Sequence, residues 1–327
     1  MKNKNQNQIT EDIIEDIYPE EEIISEPVIK KDYSFHITIL ISSIVLAGAW
    51  IYTTELKNGT QQETNIVSNQ ESVSLSGLDE KVLPSEGVML PVSWGDLGKQ
   101  LVINGTIDAE KFKEIYESRG QFTDEYNSLL FEKNNGKIKI TNENSGYLLN
   151  LFWALGLASK NPILDKGEMT NPKYGGAENF ASTGGWTLAK GNTMDHYSRH
   201  EFFNLTSEQQ ALVDKVSKGI YRPCCGNSTN FPDCNHGMAM LGLLELMASQ
   251  GASEQDMWKT ALTVNSYWFP DTYLTIATYM KDKGTDWKDI NPQEVLGINY
   301  SSSKGYRNIA SQVTQPQQQG GGSGCGV

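Results

Sequence analysis

From Phe35 to Tyr52 the chain runs for eighteen residues, FHITILISSIVLAGAWIY, without an acid or a lysine. That is about the shortest helix that crosses the hydrocarbon core of a bilayer, so the run divides the chain into a short N-terminal part and a long C-terminal one. Tyr33 on one side and Trp50 with Tyr52 on the other are the amphipathic aromatics that settle at membrane interfaces. Lys30 and Lys31 precede the run and only Lys57 comes soon after it, which places the N-terminus in the cytoplasm and the bulk of the chain outside. The small residues AGA inside the run also suit a signal-peptide cleavage site. A signal peptide, however, carries a short basic region ahead of its apolar core, whereas residues 1–33 hold four Lys against nine Asp or Glu.

The regions on either side differ in composition. Residues 1–32 mix Asn, Gln and acids with Pro19 and Pro27, the make-up of an acidic disordered cytoplasmic tail. The transmembrane helix occupies 33–53. Residues 54–87 are rich in Ser, Thr, Asn, Gln and Glu and read as a polar linker. Residues 88–310 form an extracytoplasmic helical domain, and 311–327 a flexible Gln/Gly-rich tail carrying Cys325. The expected fold class is therefore mainly α, a single-pass helix followed by a helical globular domain with one long irregular, Gly-rich excursion.

Within the domain the helices announce themselves by period and caps. The stretch around Asn104-Gly105 reads as two short helices about a turn, the second capped by Thr106 or Asp108 with Phe112, Ile115 and Tyr116 on one face. KNNGKIKITNEN fits a hairpin or an extended loop. SGYLLNLFWALGLASKN has too wide an apolar surface for a half-exposed helix and belongs in the middle of a bundle. The next segment, with two prolines and repeated glycines, is long for an irregular connection and suits a covering or binding role. Helix then returns after Thr206 or Ser207, after Asp233 and after Ser253, with Pro270 interrupting the last run.

The chemistry-bearing residues fall in two clusters. YRPCCGNSTNFPDCNHGMAM holds Cys224, Cys225, Cys234, His236, Met238 and Met240, and MDHYSRHEF holds Met194, His196 and His200; of the four histidines only His36 lies elsewhere. On a helix, His196 and His200 would share a face one turn apart, the spacing from which two imidazoles reach one ion. Cys234 at a helix start would have its thiolate stabilised by the helix dipole, with His236 two residues on. Thiolate, imidazole and thioether together favour copper, especially Cu(I), while two Cys with two His suit tetrahedral zinc. The expected metal ligands are thus His196, His200, Cys224, Cys225, Cys234 and His236, with Met240 as a weak soft donor. Met238 and Met240 have a plainer reading as core side chains beside Leu241, Leu243 and Leu244.

Two other functions compete with metal capture, delivery or electron transfer. In an oxidising compartment, Cys224 or Cys225 pairs with Cys234, and the domain is a disulfide-stabilised module that contacts an envelope protein or polymer. Its aromatics, Trp186 and Trp268, would then line a cleft or simply pack. The third is a thiol–disulfide oxidoreductase, which lacks the usual CxxC-plus-strand context. A net charge of −13 argues against nucleic acid as a partner, and the chain carries no Walker, Rossmann, HExxH or GxSxG motif.

Overall fold

A helix that is apolar on every side has to be surrounded by protein, and two such helices form the centre of the molecule. They are SGYLLNLFWALGLA over Ser145–Ala158 and NHGMAMLGLLELMAS over Asn235–Ser249. In the first only Ser145, Gly146 and Leu149 escape full burial, and in the second only Ser249 does. The computed structural model describes residues 72–313, which are mainly helical. The expected tail at 1–32, the membrane span at 35–52 and Cys325 lie outside the described residues. No helix among the described residues is long and apolar enough to cross a membrane.

In chain order the first half holds α1 (Ser72–Val82), β1 (Val88–Gly95), α2 (Leu97–Ile103), α3 (Ala109–Glu117), α4 (Asp124–Phe131), β2 (Asn135–Ile140) and α5 (Ser145–Ala158). The second holds α6 (Pro162–Lys166), α7 (Ser207–Gly219), α8 (Asn235–Ser249), α9 (Glu254–Trp268) and α10 (Pro270–Asp282), then the short α11 (Pro292–Val295), α12 (Ile298–Ser301) and α13 (Ser303–Ala310). Helices α7 and α9 pack on α8, α9 also packs on α5, and α10 carries α1 and α13 on its outer side.

The central pair α5 and α8 meet backbone to backbone. A Cβ added at Gly156 would stand 2.0 Å from the carbonyl oxygen of Met238, and one at Gly242 would stand 2.6 Å from the amide nitrogen of Gly156. Neither side can move, because both helices are enclosed. Gly156→Ala is expected to lower the free energy of unfolding by about 3 kcal/mol. Gly77→Ala, at an exposed position with nothing within 4 Å, serves as the control, and urea unfolding of the two variants against the parent is the measurement.

Several local readings change once the chain is folded. The polar stretch read as a linker ends in α1, whose Leu78 and Val82 are buried and whose Lys81 meets Asp286 at 2.6 Å. Within KNNGKIKITNEN the residues NGKIKI are strand β2, and its antiparallel partner is β1, on the far side of three helices. In β1 Leu90, Val92 and Trp94 alternate inward, and the ladder is irregular between Met89 and Ser93, where Pro91 has no N–H to donate. The Gly-rich excursion breaks into α6 and four single-turn 3-10 helices, and it is a packed cover. Its Trp186 is fully buried, donates Nε1–H to the Thr106 carbonyl at 2.9 Å and meets Trp153 edge-on at 4.9 Å.

Helix α8 also carries a fully buried carboxyl. Glu245 accepts a hydrogen bond from Asn161 Nδ2 at 2.7 Å and has no cationic partner among the described residues. Burial pushes its carboxyl up to about 8, so it is mostly neutral at pH 7. It lines a cleft of about 980 Å³ between the 159–167 and 201–214 segments.

Candidate metal centre

The cysteine loop, residues 220–234, joins α7 to α8 and is closed at its base. Tyr221 and Ser228 form an isolated antiparallel bridge, Thr229 N–H donates to Ile220 O at 2.8 Å, and the Cys225 carbonyl accepts from Ser303 N–H at 2.9 Å. These backbone bonds leave the loop's side chains free to converge on the first turn of α8. Cys234 is the N-cap of that helix and makes no side-chain capping bond. Its sulfur therefore sits at the positive end of a fifteen-residue helix.

Two donor groups share that sulfur. In one, Cys224 Sγ, Cys234 Sγ and a ring nitrogen of His236 all lie within 4.8 Å of one another; in the other, Cys225 Sγ, an Asp233 carboxylate oxygen and Cys234 Sγ do. Both sets could hold a metal ion. Cys224 Sγ and Cys234 Sγ are 3.6 Å apart. A metal bonded to two sulfurs at about 2.3 Å holds them roughly 3.8 Å apart in tetrahedral geometry, so little movement separates the observed pair from a shared ion. Cys234 and His236 are buried, while Cys224 is exposed at the mouth.

His236 is prepared for a ligand by its surroundings. Its ring lies against Phe269 at 4.3 Å and faces the edge of Trp268 at 5.9 Å. Its Nδ1 is buried with no hydrogen-bond partner among the described residues, which is costly for a polar atom unless something binds there. Trp268, read from the sequence as cleft or core, is thus a wall of the site.

A buried guanidinium sets the electrostatics. Arg222 is 1% exposed; its Nε donates to Cys234 Sγ at 3.1 Å, and its Nη2 to Asp233 Oδ1 at 2.5 Å and to Phe231 O at 3.2 Å. Hydrogen bonds from the Cys224 and Cys225 thiols, and then the charge of Arg222, hold the Cys234 thiol well below the usual thiol range. Cys224, hydrogen-bonded to Cys225 and Cys234, is pushed far up. Of the loop's three thiols, the buried Cys234 therefore gives up its proton most readily. Asp233, expected as the helix cap, instead holds Arg222 and accepts from Asn227 Nδ2 at 2.7 Å.

The upstream histidines stand apart from this. They are not on a helix: a single 3-10 turn ends at Asp195, Ser198 is left-handed with φ 52°, and His200 bridges to Ser159. The turn nonetheless stacks the two rings 5.4 Å apart, with His196 Nδ1 3.2 Å from His200 Nε2 and His196 Nε2 3.2 Å from Lys190 O. Three of their four ring nitrogens are thereby engaged. Neither histidine belongs to either cysteine group. Met240 is a fully buried member of the apolar core, with Met238 beside it. Of the expected ligands, the fold brings together Cys224, Cys225, Cys234 and His236 and adds Asp233. The chain matches no family model, no curated protein and no solved structure, so its function is argued from the chemistry of this site.

Proposed function

We propose that the chain is a membrane-anchored metal-capture protein that holds one Cu(I) ion between Cys224, Cys234 and His236 on the extracytoplasmic side. The observation that carries this reading is the approach of two sulfurs to 3.6 Å beside a buried imidazole whose Nδ1 has no partner among the described residues. Three donors, two of them thiolates when loaded, suit a soft ion of low coordination number. A structural zinc site takes four protein donors. Here the nearest candidates for a fourth are committed elsewhere: Asp233 is held by Arg222, and Cys225 belongs to the donor group without His236. An exposed Cys224 gives an incoming carrier a thiol to exchange with, as capture and delivery require.

A second metal is favoured by charge. Asp233 and Arg222 cancel, so two thiolates with Zn²⁺ give a neutral buried centre, with water completing the tetrahedron as in open zinc sites. Anaerobic titration of the reduced whole chain against a chromophoric Cu(I) chelator, beside a Zn²⁺ titration, separates the two. The expected result is one Cu(I) held against the chelator, weakened more than about tenfold in His236→Ala and within twofold of the parent in Met240→Leu. Retention of neither ion after reduction would sink the reading and leave the disulfide-stabilised module, in which Cys224 and Cys234 are the bonded pair.

A further inference from the structure

The two donor groups share Cys234 Sγ, and a thiolate that belongs to two groups is the usual bridge of a two-metal cluster. Cys225, Asp233 and Cys234 would supply the second ion with two sulfurs and a carboxylate. Among them stands Arg222. Its Nε is 3.1 Å from Cys234 Sγ and its Nη2 is 2.5 Å from Asp233 Oδ1, so the guanidinium already donates to two of the three atoms that would bind a cation.

We propose that Arg222 is a built-in cation that fills this second site, so that the centre takes one metal ion and not two. The inference rests on the metal reading of the first group and adds to it a stoichiometry and the residue that sets it. An arginine serves where a lysine would not, because a guanidinium keeps its charge when buried whereas an ammonium yields a proton and its place.

The seat is built for that group. A Cβ on Gly237 would stand 2.5 Å from Arg222 Cζ and 2.7 and 2.8 Å from its terminal nitrogens. The bare first turn of α8 therefore lets the guanidinium lie against it, and Phe231 O anchors Nη2 from the other side at 3.2 Å. With the side chain 1% exposed, it has no solvent-filled space to swing into when an ion arrives. An ion at bonding distance from Cys234 Sγ and Asp233 would be in contact with a permanent positive charge. The first group suffers less, because His236 and Cys224 approach the shared sulfur with no cation of their own.

The test is stoichiometry on the whole, reduced chain, loaded anaerobically with excess Cu(I), desalted and analysed for metal. The parent is expected to hold one ion and Arg222→Met two, with Arg222→Met/Cys225→Ser returning to one. A loss of packing alone would not raise the count. Should Arg222→Met fail to fold, Gly237→Ala displaces the guanidinium while keeping the arginine and is expected to raise the count in the same way. One ion in every folded variant, or two in the parent, overturns the role of Arg222 while leaving the metal centre standing. No ion in any of them overturns the centre and this inference together.

Discussion

Cys234→Ser is expected to abolish metal retention, with an affinity loss of more than about 100-fold, beyond what outer-shell changes at metal sites produce. The reason is positional. Cys234 Sγ is the atom common to both donor groups, its thiol is the one of the three that loses its proton most readily, and it sits at the N-terminus of α8. Serine keeps the shape but not the charge or the softness. Cys224→Ser removes one of the two sulfurs of the first group and should weaken binding nearly as much. Cys225→Ser, by contrast, touches a group already occupied by Arg222, and its effect should stay within a few-fold. The ordering is the signature of the arrangement. Competition titrations of the three variants that gave equal losses would show that the cysteines act as an interchangeable cluster. A harmless Cys234→Ser would remove the sulfur site altogether.

The parts of this structure legible in the sequence are those in which near neighbours along the chain settle the outcome. The all-round apolar runs at 145–158 and 235–249 have to be central helices, and the caps at Asp108, Thr206 and Ser253 each accept the backbone bond their position implies. The crowding of three cysteines and a histidine into one loop likewise survives as a cluster in space. The spacing of His196 and His200 suits a helical ruler, and left-handed Ser198 breaks that ruler. Their rings still meet, but through a turn, and they bind each other. Strand β1 escapes a sequence reading because its partner lies beyond three helices, and no local period records a pairing of that range. Asp233 looks like a helix cap because a loop carboxylate before a helix usually is one. Only the fold shows Arg222 buried beside it, taking the carboxylate and leaving the helix end to a sulfur. Nothing in MAMLGLLELMAS, short of the fold, says that Glu245 has no cation to pair with among the described residues.

That buried carboxyl makes the stability of the whole domain depend on pH, and the sign is definite. Glu245 titrates at about 8 in the folded chain, against about 4.3 for an unperturbed glutamate. Between those values the folded state holds a proton that the unfolded state has lost, so stability falls as pH rises. The stabilising effect of the neutral form is fully present below about pH 4 and lost as pH rises through 8. At about 1.4 kcal/mol per pH unit, the span from pH 5 to pH 8 is expected to cost on the order of 4 kcal/mol. Gln at this position keeps an acceptor for Asn161 Nδ2 and cannot ionise. Glu245→Gln should therefore match the parent at pH 5 within about 1 kcal/mol and exceed it by several kcal/mol at pH 8.5. Because the two proteins share every other titrating group, including Glu201, Lys160, Lys166 and Asp214 around the same cleft, the difference between their urea-unfolding free energies isolates this one proton. Parallel pH profiles would mean that Glu245 is ionised in the folded chain, with water or a cleft-bound cation stabilising it. Profiles that meet at pH 5 and part above it would mean that the central helix pair tolerates its carboxyl only as the acid.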